Sequence, residues 1–392
     1  MLATVRPLPE HAPLVIVGGG PVGTALAVGL RDSGIEPVLL EASPPGLSDD
    51  VRFIALSFGS RLILERLGVW ARIEPCATPI ESIEVSQRAG FGCTELKARE
   101  VGLPALGHVV RYRDLSRALA EAARACTSSA QGVSVTDVES LREFAVVTCE
   151  GSNGSRLTST PLVALADGGR SLAAKGAPFA PLVRDYRKWA VVAWARATSG
   201  HGQRAYERFT PSGPAALLPA DNGYSIVLTL SEADAETLCL ASDAAFLAHL
   251  EETFGERAAG LGDCTPRARF PLALRYAGSV TGERLALIGN AAQTLHPVAG
   301  QGFNLGLRDA WTLARIVRET PRADLGSRGM LARYRRERAR DRTSGILFTD
   351  ALVRLFSNDH QWLRTARGLG LTMLDLSGAP KRFLMRRMMF GA

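Results

Sequence analysis

Two stretches of this chain gather glycines, the second together with amide side chains, in a pattern suited to gripping an anionic ligand. In the first, Gly18-Gly19-Gly20-Pro21-Val22-Gly23 follows the apolar run 13–17 and precedes a helix-like pattern over 24–30. The second spans 287–309, where Gly300 and Gly302 open a helix and Asn290, Gln293, His296, Gln301 and Asn304 crowd the approach to it. Glycine lets backbone N–H groups come close to a ligand, and a helix N-terminus aims unpaired N–H groups at it. A plain strand-to-helix turn needs neither the amides nor the paired glycines.

The elements around the first stretch are those of a dinucleotide site. Residues 13–17 are β-branched and apolar without alternation, as in a strand buried on both faces of a parallel sheet. Residues 37–41 form a second such strand and end on Glu41. Gly18 serves a tight turn, Gly20 allows approach to a pyrophosphate, and Gly23 permits close helix–strand packing. Glu41 is placed to accept hydrogen bonds from an adenosine ribose.

Composition narrows the remaining choices. The chain has 392 residues, 46% of them hydrophobic, enough for two cores. Its six cysteines show no CxxC spacing and no histidine companion, so neither a metal site nor a disulfide framework is expected. No apolar run reaches the roughly 18 residues of a membrane span. The net charge is +7, but among 46 basic residues lysine occurs only at Lys97, Lys175, Lys188 and Lys381. The densest cluster, 333–342, has helical spacing with Glu337 and Asp341 inside it and reads as a solvated helix face. No nucleic-acid partner is expected.

Between about 180 and 275 the pattern changes to strand-like pieces, 188–197, 205–210, 215–219 and 224–230, separated by Gly, Pro and Asn turns. The segment 284–289 then returns to the nucleotide core. Helical patterns follow at 303–317 and 331–357, and from there to the end with breaks at Gly368, Gly370, Gly378 and Pro380.

Three motifs now stand in order: GGGPVG with Glu41, the segment around Asp167-Gly168, and GNAAQTLHPVAGQGFNLGLRD. Together with 52–56 and Tyr334, Arg338 and Asp341, they resemble the single-component FAD-dependent aromatic hydroxylases, and within them the ubiquinone-biosynthesis branch. The wider family usually carries Gly-Asp-Ala-Ala-His where this chain has Gly289-Asn290-Ala291-Ala292-Gln293. The resemblance implies an α/β fold: a Rossmann-type FAD-binding domain of the para-hydroxybenzoate hydroxylase kind, an inserted, mainly antiparallel substrate domain, and C-terminal helices. The FAD domain is expected over 1–78, 100–178 and 277–345, the substrate domain over 79–99 and 179–276, and the helical segment over 346–392.

The same resemblance implies FAD as cofactor, NAD(P)H as reductant and O2 as co-substrate, with a polyprenylated methoxyphenol hydroxylated by way of a flavin hydroperoxide. Gly18, Gly20, Gly23, Glu41, Arg52, Arg113, Asp167 and Asn290 would contact FAD. Pro297, Gly300, Gly302, Phe303 and Asn304 would surround the flavin ring. No catalytic side chain and no metal ligand is assigned. His296 is open as a general base or as a residue that only shapes its loop, and Tyr206 and Tyr224 have no assigned direction. In the central motif an arginine is usual seven residues after the aspartate, whereas Ala174 stands there beside Lys175. Another quinone-pathway hydroxylase, a prenyl reductase, and a non-catalytic FAD-binding subunit remain as alternatives on the same scaffold.

The tail mixes arginine with bulky apolar residues over 362–367 and 383–390, with Asp375 its single acid. This composition suits a helix on an anionic interface. A cytoplasmic protein is expected, peripheral on the inner face of the cell membrane and in contact with other quinone-biosynthesis proteins.

Overall fold

The computed structural model describes residues 8–43, 50, 52–88, 90–152, 154–169, 179–296, 300–356 and 361–391. Val15–Val17 is the central strand of a six-stranded sheet, fully buried and parallel to Val38–Glu41 on one side and Val163–Leu165 on the other. Ser128–Gln131 and Leu285–Leu287 extend the parallel set outward, and Thr281–Gly282 closes one edge antiparallel. Both faces are covered, which is why these strands read as continuous apolar runs.

The helices Pro21–Gly29 and Gln301–Glu319 pack at small residues. A Cβ on Gly29 would lie 2.8 Å from Ala314 Cβ, and one on Gly306 would lie 2.9 Å from Gly289 Cα. This near approach joins the first glycine loop to the second, because both helices begin at the same end of the sheet. A three-stranded antiparallel sheet, Ser134–Ser140, Ala145–Gly151 and Gly154–Thr160, adds Val135, Ala145, Val147 and Cys149 to the same core.

A nine-stranded sheet forms the second layer. Its longest strand is Pro181–Ala197, flanked by Ala268–Ala277 and Gly223–Leu230. The sequence pattern begins this strand only at residue 188. The reason is a bulge: Arg187 has φ +50°, and the register jumps between Asp185 and Lys188. Tyr186 and Arg187 are two extra residues on this strand relative to Ala268–Ala277, so the regular alternation is interrupted across them. Asp185 Oδ1 accepts the Arg187 N–H at 2.8 Å.

Two further expectations are corrected in the C-terminal region. The helix Gln361–Leu376 runs through Gly368 and Gly370 without breaking. Gly368 is there for close approach, since a Cβ on it would sit 2.6 Å from the Phe91 carbonyl oxygen. The break at Gly378 is present, and Pro380 lies in the first turn of Gly378–Phe390, where a missing N–H costs no helical hydrogen bond.

The 333–342 cluster, expected to be a solvated face, is split in two. Arg333 and Glu337 join Arg315 and Glu319 at the surface, whereas Arg338 and Asp341 are each only 5% exposed. Helical spacing turns Tyr334, Arg338 and Asp341 inward, towards the helix Gln301–Glu319.

Candidate functional site

At the first loop the backbone is shaped by sterics that only glycine meets. Gly18 has φ +107°, and a Cβ there would be 2.7 Å from the carbonyl of Ala166 and the nitrogen of Asp167. On Gly23 a Cβ would run into the Gly18 carbonyl oxygen. Gly20 differs: a Cβ there would meet nothing within 4 Å, so its missing side chain leaves open space. Gly20 caps a helix that begins with Pro21 and has no side-chain cap, leaving its first N–H groups for a ligand.

Glu41 lies beside this loop and does more than the sequence implies. Its Oε2 accepts the Gly19 N–H at 2.6 Å and its Oε1 accepts the Ser43 N–H at 2.8 Å. The carboxylate thus fixes the loop and still has lone pairs for hydroxyl donors. Asp167 follows the strand Val163–Leu165, abuts Gly18, and accepts the Gly169 N–H at 2.9 Å through Oδ1. Arg170, Ser171, Ala174 and Lys175, which complete that motif, lie outside the described residues.

Arg52 is bound by Asp50 through Nε at 2.8 Å, and its guanidinium lies over the rings of Tyr112 and Phe270. The Asp50 carboxylate holds the Arg52 pKa above its usual value, against the effect of burial. Tyr112 donates its backbone N–H to the Arg52 carbonyl at 2.8 Å and feels the charges of Asp50, Arg52 and Glu41. Arg113, next along the chain, is exposed. Glu41, Arg52 and the start of the helix Tyr112–Ala123 are therefore gathered at one end of the parallel sheet.

The second loop begins where Leu285–Leu287 ends. Gly289 has φ +61° and donates its N–H to Asp309 Oδ2 at 3.1 Å; Asn290 beside it is exposed. Gly300 has φ +60°, and no side chain caps the helix Gln301–Glu319 that it opens. A Cβ on Gly302 would meet nothing within 4 Å, a second open cradle at a helix N-terminus. Phe303 is half-buried against the main core. Pro297 lies outside the described residues.

Asn304 works as a clamp. Its Oδ1 accepts the Ser57 N–H at 2.9 Å, while its Nδ2 donates to the carbonyls of Ala55 at 3.0 Å and Gly300 at 2.6 Å. One amide thereby ties the helix start to the strand Phe53–Ser57, and both sides of that tie border a cavity. The cavity measures about 430 Å³. Its floor is the nine-stranded sheet, and its far wall is formed by Leu352, Leu371, Leu384, Met385 and Met389 of the C-terminal helices. Apolar atoms dominate its surface, and among the described residues its titratable side chains are Glu207, His296 and Arg367.

Behind the second loop stands a buried ionic network. Asp309 also accepts from Gln293 Nε2 at 2.7 Å and from Arg338 Nε at 2.6 Å, while Arg338 and Arg308 both reach Asp341. Burial alone would raise the Asp341 pKa, but Arg308 and Arg338 hold it below the usual carboxylate range. Gln293 Oε1 accepts from Arg342 Nε at 3.1 Å, so one neutral side chain serves an acid and a base at once. Tyr334 closes the set with a 3.0 Å bond to the Leu287 carbonyl.

The chain matches the family model described as "FAD binding domain" over residues 11–344. It is 32% identical over 385 residues to ubiquinone hydroxylase UbiL of Rhodospirillum rubrum, covering 96% of this chain and 89% of that one. It is also 32% identical to the 3-demethoxyubiquinol 3-hydroxylase of Escherichia coli, covering 94% and 96%. This chain belongs to the FAD-dependent hydroxylases of ubiquinone biosynthesis. Among solved structures, the p-nitrophenol 4-monooxygenase of Pseudomonas putida shares the fold, with a TM-score of 0.77 over 98% of this chain and 99% of that one at 18% identity.

The hydroxylase is thus a flavoprotein whose class draws electrons from NAD(P)H and oxygen from O2. The two uncapped helix starts, at Gly20 and Gly300, and the open space over Gly20 and Gly302 fit an extended dinucleotide that ends beside the cavity. His296 is 1% exposed, lies edge-on to Tyr186 at 5.6 Å, and is pushed down to about 4 by burial. It is neutral at physiological pH. Tyr186 in turn donates to Asp350 at 3.2 Å. Tyr224 is buried in the core behind the sheet, with Tyr206 against it, and neither lines the cavity.

The sequence pattern does not single out Glu207, Arg367 or Tyr186. For Glu207 a signal is present, because alternation along 205–209 puts it on one face with Ala205 and Phe209. For Arg367 there is none, since its place depends on how the last helices fold back. Among the described residues no group of His, Cys, Asp or Glu is arranged to hold a metal ion, and no helix is long and apolar enough to cross a membrane.

Proposed function

We propose that this protein hydroxylates the aromatic ring of a polyprenylated phenol, 2-polyprenyl-6-methoxyphenol, to give the 1,4-benzoquinol. The observation that supports this reading is the cavity of about 430 Å³ beside Gly300, whose apolar walls suit a substituted ring with a hydrocarbon tail. In this reading Gly18, Gly20, Gly23, Glu41, Arg52, Arg113, Asp167 and Asn290 hold FAD. Gly300, Gly302, Phe303 and Asn304, with Pro297, surround its ring. Bound FAD supplies reductive activation of O2. The chain supplies the N–H groups of the helix start at Gly302, which stabilise negative charge on the ring, and an apolar enclosure that excludes water. We also take 1–78, 100–178 and 277–345 as the FAD unit, 79–99 and 179–276 as the substrate unit, and 346–392 as the helical segment that closes the cavity.

Deleting the gene and identifying the accumulated quinone precursor tests the substrate. A prenylated methoxyphenol supports the proposal. A second reading, hydroxylation of a demethoxyubiquinol, is favoured by the 32% identity to the Escherichia coli enzyme and predicts a demethoxyquinol instead. Bound flavin with no phenol-dependent use of NAD(P)H and O2 by the purified protein refutes both.

A peripheral contact with an anionic bilayer belongs to the same proposal. Leu376, Phe383 and Met373 are 81%, 68% and 64% exposed on the two final helices, and Arg382 and Arg386 flank Phe383. Leu376→Ser with Phe383→Ser is expected to weaken binding to anionic vesicles at least tenfold while flavin stays bound. Unchanged vesicle binding refutes that part.

A further inference from the structure

Along the strand Gly223–Leu230, Ile226, Leu228 and Leu230 face the core behind the sheet, while Val227 and Thr229 line the cavity. Thr229 is only 3% exposed. A valine there would have nearly the same shape and no polar atom to bury, so the hydroxyl carries a cost that the fold does not require. A notch sets its direction. Gly213, at φ +138°, lies against this side chain, and a Cβ on it would be 2.5 Å from the Thr229 methyl carbon but 3.5 Å from the hydroxyl oxygen. The methyl thus occupies the space that a side chain at 213 would fill, and the hydroxyl is turned away from it. Thr210 holds the notch by donating its hydroxyl to the Gly213 carbonyl at 2.8 Å. A β-branched side chain has few χ1 choices, so this seating fixes where the hydroxyl sits.

The other polar side chains on the cavity are engaged. Thr94 donates to Asp375 Oδ1 at 3.1 Å, and Ser57 donates to Ser60 Oγ at 3.2 Å. Asn304 is committed to the backbone of Ser57, Ala55 and Gly300. Glu207, His296, Gln301 and Arg367 have interactions of their own. Among the described residues none is hydrogen-bonded to the Thr229 hydroxyl. Buried polar groups are seldom left in that state, because the desolvation cost is then offset by nothing. A ligand oxygen in the cavity supplies the partner that the chain does not.

We propose that Thr229 is a specificity-determining residue whose hydroxyl hydrogen-bonds a ring oxygen of the substrate, selecting an oxygenated ring over a plain hydrocarbon of similar shape. This rests on the phenol substrate proposed above. The apolar walls hold any prenylated ring, with or without oxygen, by the same area burial. A site built around one buried hydroxyl instead penalises the analogue that leaves it unpaired. A hydroxyl both donates and accepts, so it can serve a phenol O–H or a methoxy oxygen, and it adds no charge to the cavity. Because Thr229 lies on a strand of the floor, with its methyl seated at Gly213, the bond fixes how the ring lies over the sheet.

Thr229→Val removes the hydroxyl and keeps the methyl in its notch, whereas Thr229→Ser keeps the hydroxyl and removes the methyl. Both are expected to retain bound FAD. Each FAD-loaded protein is titrated with a short-chain prenylated methoxyphenol and with the prenylbenzene that lacks its ring oxygens, followed by the change in flavin absorbance. The ratio of the two affinities cancels the general effect of the apolar walls. That ratio should fall about tenfold in Thr229→Val and stay within about twofold of wild type in Thr229→Ser. An unchanged ratio in Thr229→Val overturns the proposal. An equal fall in Thr229→Ser also overturns it, because packing at Gly213 would then be the cause. If Thr229→Val lowers the ratio but the wild type hydroxylates no phenol, the inference stands and only the reaction reading fails. If the wild type hydroxylates the phenol and Thr229→Val keeps the ratio, the reading stands and the inference fails. A wild type that does not bind the phenol overturns both.

Discussion

The two ends of the site are built by different means. At the nucleotide end, short segments meet through backbone sterics: Gly18 against Ala166 and Asp167, Gly23 against Gly18, and Glu41 on the Gly19 N–H. At the ring end, side chains converge from distant parts of the chain. Ala55, Glu207, Asn304, Arg367 and Met389 share one cavity though they span most of the sequence. At the nucleotide end Gly18 and Gly23 leave no room for an added atom, whereas the ring end is soft, apolar and lined by flexible methionines. On the proposed reading, a cofactor shared by many enzymes is held by rigid backbone, and the surface that selects a substrate is left to side chains.

Gly23→Ala is the harshest test of that contrast. Its Cβ would overlap the Gly18 carbonyl, so a loss on the order of 3 kcal/mol is expected, seen as a colourless protein with a lowered thermal midpoint. An unchanged flavin content and midpoint would show that the first loop is softer than its geometry indicates.

Arg338→Met probes the ionic support behind the second loop. It leaves the carboxylates of Asp309 and Asp341 buried without their shared cation, at a cost of roughly 3–5 kcal/mol. Urea unfolding measures this directly. A smaller loss after Asp309→Asn is added would show that the uncompensated charge, rather than lost packing, is responsible.

The pH dependence of stability tests how dry the ring end is, with His108 on the strand Gly107–Arg111 as a reference outside the cavity. Burial pushes both His296 and His108 down to about 4 from 6.5, so each favours its neutral form when folded. The unfolded chain binds these protons first. Stability is therefore expected to fall as pH drops from about 6.5 towards 4 and to level off below that, by about 2–3 kcal/mol per histidine. His296→Gln should flatten that slope over the same window. A slope identical to wild type would mean that His296 is hydrated in solution.

Gly302→Ala should have the smallest effect on stability, within about 0.5 kcal/mol, because its Cβ enters open space at a helix start. FAD titration is nonetheless expected to show affinity lowered at least tenfold if, as proposed, the flavin ring approaches through that space. Unaltered affinity would remove Gly302 from the flavin environment.

Much of the site is legible in the residue order. The alternation-free strands and the glycine spacing locate the nucleotide end, because that geometry is local and nearly obligatory. Asn304 stands out among the amides of the second loop, yet its role as a clamp between Gly300, Ala55 and Ser57 needs the register of a strand some 247 residues away. Gln293 is visible as a departure from the wider family. Its bonds to Asp309 and Arg342 explain it, and they join three segments that no window of sequence contains. A bulge breaks the period of Pro181–Ala197 and hides the first part of that strand. Gly368 reads as a breaker because close approach and helix breaking use the same residue type.

The residue order is enough to specify the flavin scaffold: three motifs in sequence, a parallel core, and the residue types at each helix start. Which side chains face the substrate is settled only on folding. Glu207 comes to line the cavity only when its strand lies between Ser82–Gln87 and Gly213–Ala220 and the last two helices form the facing wall. Backbone conformation is dictated by near neighbours, and so is written in short motifs. The lining of a cavity is a property of surfaces that meet only after the chain has folded.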